Sequence, residues 1–328
     1  MHVPFAEKGQ VGESTVTAIG LHLPNRPLEP GEIERIAGLG VRVFVDLHWF
    51  ASRWPAIRAA IPGAIIHGRI DIRGPLGNPL TEAAQCAEII RAQGANTWRA
   101  RNEPELEGVS QHSDWYTWLL AFGSEIKRLC PDQRIYAPAM SPGTPDWVTW
   151  LIATADAAKA SGLDGCDCHI YGSPAECDVT LNVVRAVWQG ALVCSETNFG
   201  AGRPYDLQRW ADELPGVMQT MEQHGVEAAC EFIWFWQGAD TPLPTLVDVR
   251  DSPMEDAIRR LATMALKDQY PAQFAAWEKA GGVDDNFLPY LLATGAKAPT
   301  AADVPVLLGN ARAKINELEL VIGKLLPN

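Results

Sequence analysis

The chain has 328 residues, of which 47% are hydrophobic, so it is long enough for one large domain with a sizeable core and is not disordered. Its formal net charge of −13 at pH 7 disfavours nucleic acid and anionic membranes as partners and favours a neutral substrate. No apolar stretch approaches the ~20 residues of a membrane span. The N-terminal sequence lacks a basic segment followed by an apolar run, so no signal peptide is predicted.

Eight β-rich runs alternate with eight helical patterns along the chain. Near-continuous apolar runs such as VRVFVDL and ALVCSE are typical of strands that are buried on both faces of a parallel sheet. The predicted strands are Thr15–Leu23, Val41–His48, Ala64–Ile70, Thr97–Asn102, Arg134–Ala139, Gly165–Tyr171, Ala191–Glu196 and Ala228–Trp236. The predicted helices are Pro30–Leu39, Ser52–Ile61, Thr81–Gln93, Ser113–Leu129, Pro145–Ser161, Val179–Trp188, Asp206–His224 and Ser252–Leu266.

Eight β–α repeats over about 250 residues have the size of a (β/α)8, or TIM, barrel. The structural alternative is a doubly wound open sheet, which normally has fewer strands and a glycine-rich phosphate loop after strand one. Here strand one is followed by His22-Leu23-Pro24-Asn25, with no such loop. We therefore predict a TIM barrel over residues 1–268.

The pattern changes from Gln269 onward, where residues 269–328 indicate helices only. They are Pro271–Ala280, Phe287–Ala293 and Ala301–Leu326. Apolar residues trace one face of the last helix, and such a stripe needs a partner. Packing against the barrel is one interpretation, and self-association or docking to an assembly is the other.

The seven Cys are an odd number and lie mostly in apolar runs, so we expect reduced, buried thiols. Cys166, Cys168, Cys177 and His169 do not have the spacing of a structural zinc site. The sequence therefore predicts no bound metal and no cofactor.

Polar side chains concentrate at the ends of the predicted strands, which is where TIM barrels carry their active sites. A parallel barrel does not need polar residues there for stability, so their concentration at one rim indicates a site. In chain order they are His22, Asp46, His48, Asp71, Arg73, Arg101, Asn102, Glu103, Glu105, Met140, Ser141, His169, Tyr171, Glu196, Asn198, Trp234, Trp236 and Gln237.

Two carboxylates are the best candidates for chemistry. Glu103 ends strand four and Glu196 ends strand seven, on opposite sides of a small barrel mouth, so their side chains can converge. Two carboxylates about 5–5.5 Å apart are the machinery of a retaining glycosidase, in which one attacks the anomeric carbon and the other transfers the proton. One of the two pKa values should then rise, while Arg101 or His169 holds the other carboxylate ionised.

Asn102-Glu103-Pro104 after strand four, with a glutamate at the end of strand seven, resembles the clan A glycoside hydrolases over roughly residues 15–267. The resemblance implies that Glu103 is the acid/base, that Glu196 is the nucleophile and that Asn102 binds the 2-hydroxyl of the sugar. Loops shorter than in the larger members and the helical tail depart from the usual pattern, and no family within the clan is indicated.

Further strand ends are similar to the same clan. His169-Ile170-Tyr171 resembles the His-x-Tyr of strand six, where the aromatic hydroxyl bonds the nucleophile, and Trp234 or Trp236 resembles the tryptophan that floors the first sugar subsite. We predict that His169, Tyr171 and the two tryptophans bind the substrate, and His48 and Asp71 are added as further substrate-binding residues that line the mouth. The expected partner is a carbohydrate substrate.

Two other classes of function stay open at this point. Asp71, Glu103, His169 and Glu196 at one rim are plausible ligands of a divalent ion in a metal-dependent enzyme. The chain could also be a non-catalytic carbohydrate-binding or structural barrel in a phage particle or a cell-wall machine. A location in the cytoplasm or on a phage is expected for each of these readings.

Overall fold

A computed structural model describes residues 17–198, 206–231, 235–237, 246–269 and 271–280. Among them, the side chains of residues 198, 235–237, 246, 247, 265, 266, 268 and 269 are not described. Within this part of the chain, no helix is long and apolar enough to cross a membrane.

Eight parallel strands form a closed barrel in which each strand pairs with the next in sequence and β8 pairs with β1. The predicted TIM barrel is confirmed. Its strands are β1 Ala18–His22, β2 Val43–Leu47, β3 Ile65–Ile70, β4 Thr97–Ala100, β5 Arg134–Ala137, β6 Gly165–Tyr171, β7 Ala191–Asn198 and β8 Ala228–Glu231.

Helices follow the strands, and cap residues set several of their ends. Asn78 begins one helix by accepting hydrogen bonds from the backbone N–H groups of Leu80 and Thr81, and Ser173 forms a capping box with Glu176 at another. The helices are α1 Glu32–Gly38, α2 Trp54–Ala60, α3 Pro79–Gln93, α4 His112–Leu129, α5 Trp147–Ser161, α6 Pro174–Val187, α7 Leu207–Gln223, α8 Pro253–Gln269 and α9 Pro271–Lys279.

The predicted eighth strand is too long. The barrel strand ends at Glu231, and Phe235–Gln237 forms a separate strand, β9, that pairs antiparallel with β10, Leu246–Asp248. The apolar run Phe232–Trp236 directly follows the single polar residue Glu231, and one polar residue inside an otherwise apolar run does not show where a barrel strand stops.

The chain divides into two compact units, residues 1–266 and 267–328. In the second unit the described residues include α9, in which the rings of Phe274 and Trp277 are 5.1 Å apart. The predicted helices Phe287–Ala293 and Ala301–Leu326 lie outside the described residues, so the role of the helical tail stays a prediction.

The inside of the barrel is divided into an apolar part and a charged part. Val43 and Val45 of β2 pack with Ala228 and Cys230 of β8 in a small apolar cluster. Strands β3, β4 and β6 carry the buried residues His67, Arg69, Arg99, Asp167 and His169 at alternating positions. Because alternate residues of a strand share a face, these side chains form polar layers beneath the mouth.

A β-bulge in β7 determines which way Glu196 points. Cys168 pairs with Cys194, but the next residue of β6, His169, pairs with Glu196, so Ser195 is an extra residue in the ladder. Its backbone N–H and its hydroxyl both donate to Asp167, over 3.0 and 2.6 Å. Two successive side chains, Ser195 and Glu196, therefore both contact residues of the barrel interior.

Candidate active site

The turn after β4 positions Glu103 by means of a strained residue. Arg101 has φ 64°, in the left-handed region that disfavours residues with a Cβ. Its guanidinium donates to the carbonyls of Gly74 and Pro75 and to Glu82 of α3, and lies 4.9 Å from the Trp118 ring centroid. These contacts hold the turn that leads into Asn102 and Glu103.

The expectation that Arg101 could hold a catalytic carboxylate ionised is wrong. Its side chain is bound to Glu82 and to the β3–α3 loop. The physical reason is the left-handed backbone of Arg101, from which the side chain reaches α3 and the β3–α3 loop and contacts neither Glu103 nor Glu196.

Glu196 lies at the centre of a polar cluster and is almost fully buried. One carboxylate oxygen accepts a hydrogen bond from Arg69 over 2.8 Å, and the other accepts one from the Tyr171 hydroxyl over 2.7 Å. Burial alone would raise the pKa of Glu196, but the positive charges of His169 and Arg69 outweigh it and lower that pKa to about 2. Glu196 is therefore ionised at neutral pH.

His169 lies between the two candidate catalytic carboxylates. Its Nδ1 is 2.8 Å from Glu103 Oε1, and its Nε2 is 3.5 Å from Glu196 Oε1. Burial would lower the pKa of His169, but the negative charges of Glu196 and Glu103 raise it to about 9. The ring is fully buried and is therefore shielded from water at the mouth. Its two nitrogens each face one of the carboxylates.

Arg69 is the main site residue that the sequence analysis missed. It lies within β3, where its guanidinium donates to Asn102 over 3.0 Å as well as to Glu196. Asn102 in turn has its amide 3.4 Å from Glu103 Oε2. The available signal was the alternation of His67 and Arg69 in a strand that faces the barrel interior, where a charged residue needs a partner.

His48 and Asp71 lie on the β2–β3 side of the mouth, near Arg69. The His48 ring lies near the backbone of Arg69 and 4.9 Å from the ring of the exposed Trp49. Asp71 accepts from Arg73 over 2.9 Å, and its side chain is buried. Both residues therefore lie near Arg69, the residue that donates a hydrogen bond to Glu196.

The other strand-end candidates have different positions. Asp46 points away from the barrel interior and binds Arg53 and Trp54. His22 Nε2 is 3.9 Å from Glu196 Oε1, and burial, with the charge of Arg69, lowers the pKa of His22 to about 3. The side chains of Trp234 and Trp236 lie outside the described part of the structure.

Glu105 is a second unusual carboxylate beside the mouth. It accepts a hydrogen bond from the backbone N–H of Ser141 and links the loops that follow β4 and β5. Burial raises its pKa to about 7, although the Ser141 bond acts in the opposite direction. It is therefore the nearest competitor of Glu103 for the role of proton donor.

The seven Cys are all buried and free of disulfide bonds. The metal-dependent alternative requires Asp71, Glu103, His169 and Glu196 to surround an ion. Over the residues that the structure describes, no group of three or more His, Cys, Asp or Glu side chains is arranged to hold a metal ion.

No family model matches the sequence, and no curated protein matches it. Solved glycosidase structures do match the fold. A glucosidase from Croceicoccus marinus aligns with a TM-score of 0.56 and 15% identity, over 77% of this chain and 68% of that chain. The chain has the barrel fold of these glycosidases.

Two further solved structures show the same similarity. A GH128 endo-β-1,3-glucanase mutant from Amycolatopsis mediterranei, in complex with laminarihexaose, has a TM-score of 0.55 and 18% identity, over 74% of this chain and 98% of that chain. The exo-β-1,4-mannosidase Op5Man5 from an Opitutaceae bacterium has a TM-score of 0.55 and 11% identity, over 76% of this chain and 60% of that chain. The predicted resemblance to barrel glycosidases therefore holds for the fold.

Proposed function

We propose that the protein is a retaining glycoside hydrolase that cleaves a β-linked glycoside or polysaccharide, with Glu196 as nucleophile and Glu103 as acid/base. The observation that carries the proposal is the pair of carboxylates at the mouth on either side of one imidazole ring, at 2.8 and 3.5 Å from its nitrogens. Solved structures with the same fold, including a glucanase bound to laminarihexaose, support a carbohydrate as the substrate.

The environments of the two carboxylates fit different roles. Glu196 is ionised and is oriented by Arg69 and Tyr171, as a nucleophile needs to be. The Glu103 side chain is 16% exposed, against 6% for Glu196, so Glu103 is the more accessible to a leaving group at the mouth. Unequal environments that assign unequal roles to two carboxylates are the pattern expected of glycosidases.

In the first step, a Glu196 oxygen bonds to the anomeric carbon while the glycosidic C–O bond breaks, and Glu103 protonates the departing oxygen. In the second step, Glu103 removes a proton from water, whose oxygen attacks the anomeric carbon and frees Glu196. The amide of Asn102, already held by Arg69, is placed to bind a sugar hydroxyl.

The test begins with a screen of chromogenic β-glycosides and β-linked polymers, followed by two variants on the substrate that is cleaved. Glu196→Ala is expected to abolish turnover, because no other group can form the glycosyl-enzyme bond. Glu103→Ala is expected to retain the first step for good leaving groups, which need no proton. Added azide should then restore turnover of Glu103→Ala and give the β-glycosyl azide.

Glu105→Ala is the matched control, because Glu105 lies two residues away and is the alternative proton donor. It should keep its activity on poor leaving groups and show no gain with azide. Wild-type activity of both Glu103→Ala and Glu196→Ala on a cleaved substrate would contradict the proposal. Loss of the activity in a chelator would instead favour the metal-dependent alternative.

A further inference from the structure

The two ring nitrogens of His169 face two different carboxylates. Nδ1 is at hydrogen-bonding distance from Glu103, at 2.8 Å, and Nε2 is 3.5 Å from Glu196. An imidazole that carries a proton on each nitrogen is complementary to a carboxylate at each end, whereas a neutral ring has only one N–H to offer. Because the ring is fully buried, bulk water does not compete for either nitrogen.

The other charged groups around the His169 ring do not change its preference for a proton on each nitrogen. Asp167 on the same strand and Glu105 after β4 add negative charge at longer range. Arg69 from β3 is bound to Glu196 and Asn102, and His22 from β1 is neutral because burial lowers its pKa to about 3. Among all the charged groups around His169, Glu196 contributes most to keeping the ring protonated.

We propose that His169 is a positioning residue that stores the proton that Glu103 delivers, and that it gives up this proton when Glu196 loses its charge in the first step. The proposal rests on the proposed function, because it assigns a part in the same two-step reaction. It differs from the sequence prediction, in which His169 binds substrate.

Before the first step, in the proposed resting site, the His169 ring holds a proton on Nδ1, Glu103 accepts a hydrogen bond from it, and Glu196 is ionised. As Glu196 bonds to the anomeric carbon, its negative charge disappears into the ester, and with it the largest contribution that keeps the imidazole protonated. The Nδ1 proton passes to Glu103 and from Glu103 to the departing oxygen, which leaves a neutral imidazole and an ionised Glu103.

The second step reverses the transfer. Glu103 takes a proton from the attacking water, and the ester bond to Glu196 breaks, so the negative charge of Glu196 returns beside Nε2. The proton then moves from Glu103 back to Nδ1. One proton leaves with the aglycone and one is taken from water in each cycle, and no co-reactant is required.

The proposal can be tested without a substrate by ¹⁵N NMR of the histidine rings in the full chain, with His169→Gln to assign the signal. In the wild-type protein at pH 7, both nitrogens of His169 should carry a proton. Glu196→Gln removes the charge but keeps the shape, as esterification does, and should lower the pH at which His169 loses its proton by at least one unit.

His224 provides an internal reference in the same spectra. It pairs with Asp178 over 2.7 Å, and Glu196→Gln does not alter that pair. The ring signals of His224 should therefore be the same in the wild-type protein and in Glu196→Gln. A neutral His169 in the wild-type protein at pH 7, or a His169 titration that Glu196→Gln leaves unchanged, would overturn the proposal.

A kinetic test distinguishes proton storage by His169 from a purely structural role of the side chain. His169→Asn places an amide N–H near the position of Nδ1, so it preserves a donor to Glu103 but cannot release a proton. On a substrate with a poor leaving group, its pH profile should lose at least one pH unit on the alkaline side. An alkaline limb that stays in place, with lower activity throughout, would show a structural role only.

These measurements distinguish this proposal from the proposed function. The NMR titration reports whether the charge of Glu196 controls the proton of His169, whether or not any glycoside is cleaved. If that coupling is found but no β-glycoside is hydrolysed, the proposed function fails. If hydrolysis is found without the coupling, the role of His169 fails alone.

Discussion

Tyr171, which is partly buried, and Tyr136, which is buried, are tyrosines of the barrel strands that donate hydrogen bonds to glutamates, but only Tyr171 bonds a candidate catalytic group. The Tyr171 hydroxyl is 2.7 Å from Glu196, and the Tyr136 hydroxyl is 2.8 Å from Glu227, which precedes β8. A hydrogen bond to a charged group contributes about 1.5–3 kcal/mol. Tyr171→Phe is therefore expected to lower kcat/KM by roughly 10- to 100-fold.

Tyr136→Phe is the control for this prediction, because it removes the same atom from a buried tyrosine whose hydroxyl bonds Glu227 rather than a candidate catalytic group. It should change the free energy of unfolding without lowering kcat/KM. Equal kinetic effects of the two substitutions would mean that the Tyr171 hydroxyl has no special part in the reaction. Steady-state kinetics on the substrate from the screen and urea unfolding of both variants provide the comparison.

The sequence indicated some site residues and not others for a physical reason. Glu103, Glu196 and Tyr171 come at the ends of apolar strands, where TIM barrels carry their sites. Arg69 lies inside a strand and is buried, so its role depends on which carboxylate it meets across the barrel. That partner, 127 residues later in the chain, cannot be found from the spacing of one sequence.

At the scale of elements, the left-handed Arg101 is the clearest case of strain that helps to build the site. A residue with a Cβ in this conformation costs about 1–2 kcal/mol more than glycine. Arg101→Ala and Arg101→Gly both remove the contacts to Glu82 and Trp118, so these losses cancel when the two variants are compared. Arg101→Gly should therefore be the more stable of the two by about 1 kcal/mol.

Denaturant unfolding of the two Arg101 variants measures this difference. Both should be less stable than the wild-type protein, because each leaves the partly buried Glu82 carboxylate without its guanidinium partner. If the alanine variant is as stable as the glycine variant, the backbone at this position is not strained. The comparison requires no assumption about the reaction.

The order and type of the elements could be predicted, but the bulge at Ser195 could not. Alternating strand and helix patterns are repeated eight times, so the barrel is indicated many times over. A single extra residue in β7 leaves no trace in the sequence, because the residues up to the bulge, ALVCS, are apolar or small on both faces of the strand. The bulge depends on Asp167 of the neighbouring strand, and only the folded barrel brings the two together.

For the whole molecule, the charged part of the barrel interior makes stability depend on pH. Burial, together with the charge of a nearby arginine, lowers the pKa of both His22 and His67 to about 3, from a usual value of 6.5. His169 has the opposite shift, because Glu196 and Glu103 outweigh the effect of burial and raise its pKa to about 9. These three groups thus act on opposite sides of neutral pH.

Whether the free energy of unfolding rises or falls with pH depends on whether the folded or the unfolded state binds more protons. Below pH 6.5 the unfolded chain protonates His22 and His67, whereas the folded protein does not. As the pH decreases, each group therefore lowers the free energy of unfolding by about 1.4 kcal/mol per pH unit. Below about pH 4.5 the unfolded chain also protonates Glu196, whereas the folded protein keeps it ionised down to its pKa of about 2, and this adds to the fall. Above pH 6.5 the contribution of His169 is lost progressively, up to its folded pKa of about 9.

Two variants should each change the pH dependence of the free energy of unfolding on one side of pH 6.5. His67→Gln replaces a ring whose Nδ1 contacts Thr97, and it should reduce the slope between pH 6.5 and 4 by about 1.4 kcal/mol per unit. His169→Gln should reduce the slope between pH 6.5 and 9 and leave the slope between pH 6.5 and 4.5 unchanged, because His22 and His67 produce the latter. Urea unfolding at a series of pH values measures both slopes. Because each variant is the control for the other, a change on the wrong side of pH 6.5 would contradict the assignment of these charges.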